Sequence, residues 1–210
     1  MSGYSETEVS LKLLDASGRV VCEDQKEDKS SVKFELPIKN PLKWTAEAPN
    51  LYNLVLTISD QVIAQRVGFR KTELKNGLFL VNGKRVVFRG TNRHEHHPDF
   101  GRSVPYEFLK RDLLLMKTHN INAIRTCHQP SDPRLYDLAD ELGLWIMDEA
   151  DLECHGFSEI DEAALPEEQR KLPYEERKKI IYGAAGRWTS NNPEWEGAYL
   201  DRAKQLVMSR

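Results

Sequence analysis

Three times in this chain a short apolar strand runs into a cluster of ionisable residues and then into an amphipathic helix. Val86-Val87-Phe88 empties into Arg89-Gly-Thr-Asn-Arg-His94-Glu-His-His-Pro98, and a helix follows from Pro105 to Asn120 with Leu109, Leu113 and Met116 on one face. Asn122 to Thr126 empties into Cys127-His128-Gln129-Pro130. The next helix has Asp132 as N-cap, Pro133 at its first position, Leu135, Leu138, Ala139 and Leu142 on one face, and Gly143 closing it. Leu144 to Met147 empties into Asp148-Glu149-Ala-Asp-Leu-Glu153-Cys-His155-Gly156. Its helix is deferred to Asn192-Pro193 and carries Trp195, Tyr199, Ala203 and Leu206. Strand, polar tip and helix in repetition specify a parallel sheet with crossover helices.

Two α/β architectures gather strand tips in this way. A doubly wound sheet normally brings a glycine-rich phosphate loop, and no G-x-G-x-x-G occurs here. A (β/α)8 barrel needs no such loop, and its strand tips converge on one mouth, where its active sites lie. The sequence therefore predicts about three βα units of a (β/α)8 TIM barrel. Residues 157–191 form an insertion after the third strand, with charge runs such as Glu-Glu-Gln-Arg-Lys that suit solvated helix faces.

Upstream, residues 1–72 read as all-β. Glu8 to Leu13 and Ser31 to Leu36 alternate polar and apolar residues. Val20 to Cys22 follows the turn at Ala16-Ser17-Gly18, and Leu51–Ser59 with Gln61–Val67 forms a hairpin across Ser59-Asp60. These short strands predict an immunoglobulin-like β-sandwich, but fewer than the usual seven or so strands are visible, so its N-terminal strands are expected to be missing. Trp44, between Pro41 and Pro49, is expected to plug the sandwich end and carries no chemistry. Leu78–Val81, Asn82-Gly83 and Arg85–Phe88 give a strong hairpin signal. The expected domains are thus 1–72, the sandwich, and 73–210, the N-terminal part of the barrel.

Composition removes several classes of partner. A net charge of -3 with 30% charged residues favours neither nucleic acid nor an anionic membrane. Met1 to Glu6 is polar and lacks the apolar run of a leader peptide. Cys22, Cys127 and Cys154 are odd in number and far apart, which predicts free thiols and a cytoplasmic location. The histidine turn is not a zincin helix, because His-Glu-x-x-His would need a histidine where Pro98 stands.

Trp44-Thr-Ala-Glu-Ala-Pro-Asn-Leu-Tyr52, Val67-Gly-Phe-Arg70, Asn76-Gly-Leu78 and Asn82-Gly-Lys84 occur in that order. Arg89 to Pro98, Arg125-Thr-Cys-His128 and Asp148 to Gly156 follow. In this series the chain resembles the large cytoplasmic β-galactosidases of family two of the glycoside hydrolases, over roughly residues 9–156. The lysine-rich insertion resembles the fungal and yeast branch.

The resemblance implies hydrolysis of terminal non-reducing β-D-galactose residues, as in lactose, with retention. That chemistry uses two carboxyl groups about 5 Å apart. In the family both glutamates follow later strands, the acid/base inside an Asn-Glu pair, and no Asn-Glu occurs here. No catalytic residue is therefore assigned, and the chain is expected to be inactive alone. By position, His94 and His128 match the family's galactosyl-binding histidines, and Glu153 and His155 match its Mg²⁺ ligands. Metal affinity is expected to be weak, since a further ligand is the family's acid/base glutamate; Na⁺ is implied for the full enzyme. Asn92, Arg125 and Glu149 are expected to buttress the mouth. Expected partners are the β-galactoside, the remaining segments of the same enzyme and, at full length, further copies of the chain. The alternatives are a complementing fragment that docks without catalysis, and a relative acting on a β-glucuronide or β-mannoside.

Overall fold

The structure, a computed structural model, describes residues 7–28 and 30–208. The polar stretch Met1 to Glu6 lies outside the described residues. The chain divides into two compact units: Met1–Thr91, Val104–Ile124 and Asp132–Ile146 form the first, and Asn92–Ser103, Arg125–Ser131 and Met147–Arg210 the second.

In the first unit, β1 (Thr7–Leu14), β2 (Val20–Asp28), β3 (Tyr52–Ile58) and β4 (Gln61–Val67) form a four-stranded antiparallel sheet in the order β2-β1-β3-β4. The β1–β2 turn is organised by Asp15, which accepts hydrogen bonds from the Ser17 hydroxyl and the amides of Ser17 and Arg19. The Ser17 hydroxyl is the largest cause holding the Asp15 carboxyl down at about 2. Ser31 to Leu36 corrects the sequence reading: it belongs to no strand. Val32, Phe34 and Leu36 alternate half-buried with exposed neighbours as expected, but the segment joins no ladder. Alternation specifies a face, and pairing needs a partner edge as well.

β5 (Thr72–Lys75), β6 (Leu78–Val81) and β7 (Lys84–Arg85) make a second antiparallel sheet. Asn76-Gly77 and Asn82-Gly83 turn it, all four residues at positive φ, as two-residue hairpin turns of the primed type require. Trp44 is 2% exposed. Its indole N–H donates to the Asp140 carbonyl at 2.8 Å, and its ring stands edge-on to Trp145 with centroids 5.0 Å apart.

The core of this unit lies between α1 (Tyr106–Thr118) and α2 (Pro133–Leu142). Leu109, Leu113, Ile124 and Leu135 have no exposed surface, and Val104, Leu138, Ala139 and Leu144 complete the cluster. Burying each large aliphatic side chain is worth about 1.5–3 kcal/mol, so these residues dominate the unit's stability. The α2 ends are as the sequence predicts: the Asp132 carboxylate accepts from the Arg134 amide, and Gly143 caps at φ 75°.

A third sheet is formed by β8 (Gly90–His94), β9 (Ala123–Cys127) and β10 (Trp145–Met147), in the order β10-β9-β8. A helix joins each pair of neighbours, the connection that parallel strands need. Here the sequence reading is displaced. Val86 to Phe88 is not the strand that carries the histidine turn; the polar segment Gly90 to His94 is itself β8. A Cβ on Gly90 would sit 3.0 Å from the Ala123 carbonyl oxygen, so glycine allows the close backbone approach at the start of β8.

The second unit holds the expected insertion, which is helical: α3 (Gly156–Ala163), α4 (Glu167–Arg170) and α5 (Tyr174–Ala184). A short 3₁₀ turn capped by Asn192 leads into α6 (Glu196–Met208). The insertion is more than a solvated face. Asp161 is 6% exposed, and its carboxylate accepts from the Trp188 indole at 3.0 Å and pairs with Arg187. Phe157 stacks on Trp188 at 5.3 Å. Among the described residues no helix is long and apolar enough to cross a membrane.

Candidate active site

The last residues of β8, β9 and β10 and the loops that follow them all lie in the second unit. The three histidines after β8 separate there. His97 is buried in the turn, where its Nδ1 accepts from the Asp99 amide at 3.1 Å and its backbone exchanges hydrogen bonds with Gly101. His96 is exposed. His94 meets the next strand tip, standing edge-on to His128 with ring centroids 5.2 Å apart. Arg93 and Glu95 form an ion pair at 3.6 Å whose side chains are 5% and 10% exposed.

From β9, alternation sends Thr126 inward, 1% exposed, where its hydroxyl donates to Asp148 at 2.7 Å and accepts from the Glu149 amide at 3.2 Å. This link fixes the β10 tip against the β9 tip. Arg125 then reaches Glu149: Nε donates to Oε1 at 2.6 Å, and Nη2 lies 2.6 Å from the same oxygen. The Glu149 hydrogen bond raises the Arg125 guanidinium above its usual range, with the nearby thiol and carboxylates adding to it against desolvation. The second Glu149 oxygen lies 3.2 Å from His128 Nδ1.

The other His128 nitrogen, Nε2, lies 3.6 Å from Glu153 Oε2. Glu153 Oε1 accepts from the His155 amide at 2.9 Å and is in direct contact with His155 Nδ1. The amide hydrogen bond is the largest cause holding the Glu153 carboxyl below its ordinary range, opposed by desolvation and aided by both imidazoles. His155 in turn meets the edge of Tyr182 in α5 at 6.2 Å.

All four residues singled out in the sequence, His94, His128, Glu153 and His155, therefore lie along one chain of contacts in one unit. Arg125 and Glu149 stand at its centre rather than behind it. Asn92 lies on β8, exposed. Cys127, which sequence reasoning passed over, is 5% exposed with its sulfur 3.5 Å from Arg125 Nη1. Its sulfur, a His128 nitrogen and a Glu149 oxygen lie within 4.8 Å of one another, a donor set that would suit zinc better than magnesium. The Arg125 guanidinium touches all three groups and already supplies the positive charge.

The cluster can hold a polyhydroxylated ligand. Imidazoles both donate and accept, carboxylates accept, and neighbouring sugar hydroxyls need both. A general acid needs a raised carboxyl pKa, and Glu153 is shifted the other way.

Residues 2–70 match the family model for glycosyl hydrolases family 2, and residues 72–210 match the model for the TIM barrel domain of that family. Among curated proteins, the β-galactosidase of Kluyveromyces lactis is 49% identical over 181 residues, which is 83% of this chain and 17% of that protein. The β-galactosidase of Halalkalibacterium halodurans is 38% identical over 98% of this chain and 19% of its own length. The chain thus spans under a fifth of these relatives. Among solved structures, a Parabacteroides merdae β-glucuronidase superimposes with a TM-score of 0.66 at 29% identity, covering 78% of this chain and 23% of that one. A Faecalibacterium prausnitzii β-glucuronidase gives 0.62 at 32% identity, covering 68% and 24%.

Proposed function

The chain belongs to family 2 of the glycosyl hydrolases, and from that premise we propose that it forms part of a retaining β-galactosidase acting on terminal non-reducing β-D-galactosides such as lactose. The observation that carries the reading is the meeting of three strand tips through His94, His128 and Glu153. In this reading His94 and His128 hold the galactosyl ring by its hydroxyls. The β-galactosidase relatives support galactose as the sugar.

Retention requires one carboxyl that can donate a proton and one that attacks the anomeric carbon, about 5 Å apart. Glu149 and Glu153 do not suit those roles. Arg125 matches the charge of Glu149, and the hydrogen bond from the His155 amide holds Glu153 ionised. We assign both to the binding wall, and the chain by itself turns over no glycoside. The catalytic pair belongs to the remaining segments of the longer enzyme, which also associates into oligomers.

Glu153 and His155 fit a divalent cation in part: an anionic oxygen and an imidazole nitrogen meet at one point, and the carboxylate is held ionised. A hard cation takes mainly oxygen ligands, so Mg²⁺ would bind these two weakly, chiefly through Glu153 and water. When bound it would supply positive charge beside the sugar. The three free cysteines support a reducing, cytoplasmic compartment.

A second reading, a β-glucuronide as substrate, is favoured by the β-glucuronidase structures at 28–32% identity. The two are separated by assaying p-nitrophenyl β-D-galactoside and β-D-glucuronide with this chain alone and mixed with the remainder of the Kluyveromyces relative. Galactoside turnover only on mixing is the expected result. Glucuronide preference favours the second reading, and turnover by the chain alone overturns the assignment of the carboxylates.

A further inference from the structure

Resting on that reading of the pocket, we infer that Glu149 is a positioning residue that sets the tautomer of His128: its carboxylate takes the Nδ1 proton and leaves Nε2 bare, as the hydrogen-bond acceptor that faces the sugar.

A neutral imidazole carries one proton, and which nitrogen holds it is decided by the partner of the other. Two groups compete for Nδ1. Glu149 Oε2, which can only accept, lies at 3.2 Å, and Arg125 Nη2, which can only donate, lies at 3.4 Å. The carboxylate wins on two counts. It is the nearer, and as an anion it forms the stronger, charge-assisted bond with the ring N–H. Arg125 therefore acts on His128 through Glu149: it fixes one carboxylate oxygen, so the other is turned to the ring.

The consequence lies on the far side of the ring. A bare Nε2 faces Glu153 Oε2 across 3.6 Å, two acceptors with no proton between them. That gap is completed only by something that donates to both sides. A water, or two neighbouring sugar hydroxyls each with its own O–H, do so, whereas an acceptor such as an ether oxygen or a uronate carboxylate does not. The tautomer thereby selects hydroxyl-bearing ligands at this point of the wall.

Replacing Glu149 by glutamine tests the inference, because the variant keeps size and shape. Arg125 will claim the amide oxygen of the new side chain, turning its NH₂ toward His128 Nδ1. Both neighbours of Nδ1 are then donors, and the proton must move to Nε2. The readout is the pair of ring ¹⁵N shifts of His128 in the ¹⁵N-histidine-labelled 210-residue chain, with His128→Gln used to assign them. Spectra are recorded at about pH 8.5, above the ordinary imidazole range. The expected result is a pyrrole-like Nδ1 and a pyridine-like Nε2 in the parent, exchanged in Glu149→Gln. A parent ring protonated on Nε2, or a folded Glu149→Gln variant with unchanged shifts, overturns the inference. The parent measurement needs no variant, so the test stands even if Glu149→Gln does not fold. Neither measurement uses turnover: the expected tautomer without galactoside hydrolysis on mixing would remove the proposed activity and leave the role of Glu149 intact.

Discussion

Gly143 ends α2 in a position that only glycine can fill, and replacing it with alanine is expected to destabilise the first unit far more than conformation alone would. Its φ is 75°, and its amide donates to the Ala139 carbonyl as the helix cap. A Cβ there would stand 2.3 Å from the Ala46 carbonyl oxygen and 2.9 Å from its carbon, both backbone atoms. That carbonyl cannot retreat freely, because Lys117 holds both it and the Gly143 carbonyl, at 2.9 and 2.8 Å. Gly77 supplies the control: its φ is 71°, and a Cβ there meets nothing within 4 Å. Left-handed backbone costs an L residue about 1–2 kcal/mol, partly offset by the lower entropy of the unfolded alanine chain. Gly77→Ala should therefore lose about 1 kcal/mol. Gly143→Ala adds an overlap of the kind that costs about 1–3 kcal/mol in a packed site, for a total of about 3 kcal/mol. Urea unfolding followed by circular dichroism measures both variants. Equal losses would refute the close approach of residues 46 and 143.

Trp44→Phe removes the indole hydrogen bond to Asp140 and part of a ring 2% exposed, and should cost about 2 kcal/mol in the same assay. A variant within 0.5 kcal/mol of the parent, about the noise of such measurements, would reduce Trp44 to a surface plug. The insertion gives another test. Asp161→Ala strips the carboxylate that ties Trp188 and Arg187 to α3, and indole fluorescence should report loosening of residues 157–191 at denaturant concentrations that leave the parent unchanged. Coincident transitions would show that Asp161 locks nothing. The depressed Glu153 carboxyl fixes a pH dependence: the unfolded chain binds this proton more readily, so its contribution is present above the ordinary glutamate pKa and is lost as pH falls through the lower folded value. Glu153→Gln should flatten that part of the acid limb, and an unchanged limb would deny the His155 contact.

Local chemistry is what the sequence made legible. Asp132 and Gly143 bracket α2 as expected, because caps depend on one residue and its nearest amides. Asn82-Gly83 turns its hairpin for the same reason. Where pairing depends on distant partners, periodicity misled. Ser31 to Leu36 has a strand's alternation and no ladder, while Gly90 to His94 lacks an apolar pattern and is a barrel strand. The signal for β8 was Gly90, whose missing Cβ admits the Ala123 carbonyl, but glycine alone also marks turns. In the candidate site the residue types were readable and their pairing was not. His94, His96 and His97 look equivalent in sequence, and only the turn closed by Gly101 buries the last and leaves the first to meet His128. Arg125 and Glu149 are separated by 24 residues, and their bond follows from neighbouring strands rather than from any spacing.

The candidate site depends on the tips of β8 and β9 presenting their histidines to one another. Through-space magnetisation transfer between the imidazole ring protons of the labelled chain tests this most directly. A cross-peak between the rings of His94 and His128 is the result expected from centroids 5.2 Å apart. Rings that show no mutual cross-peak in the folded chain would contradict it.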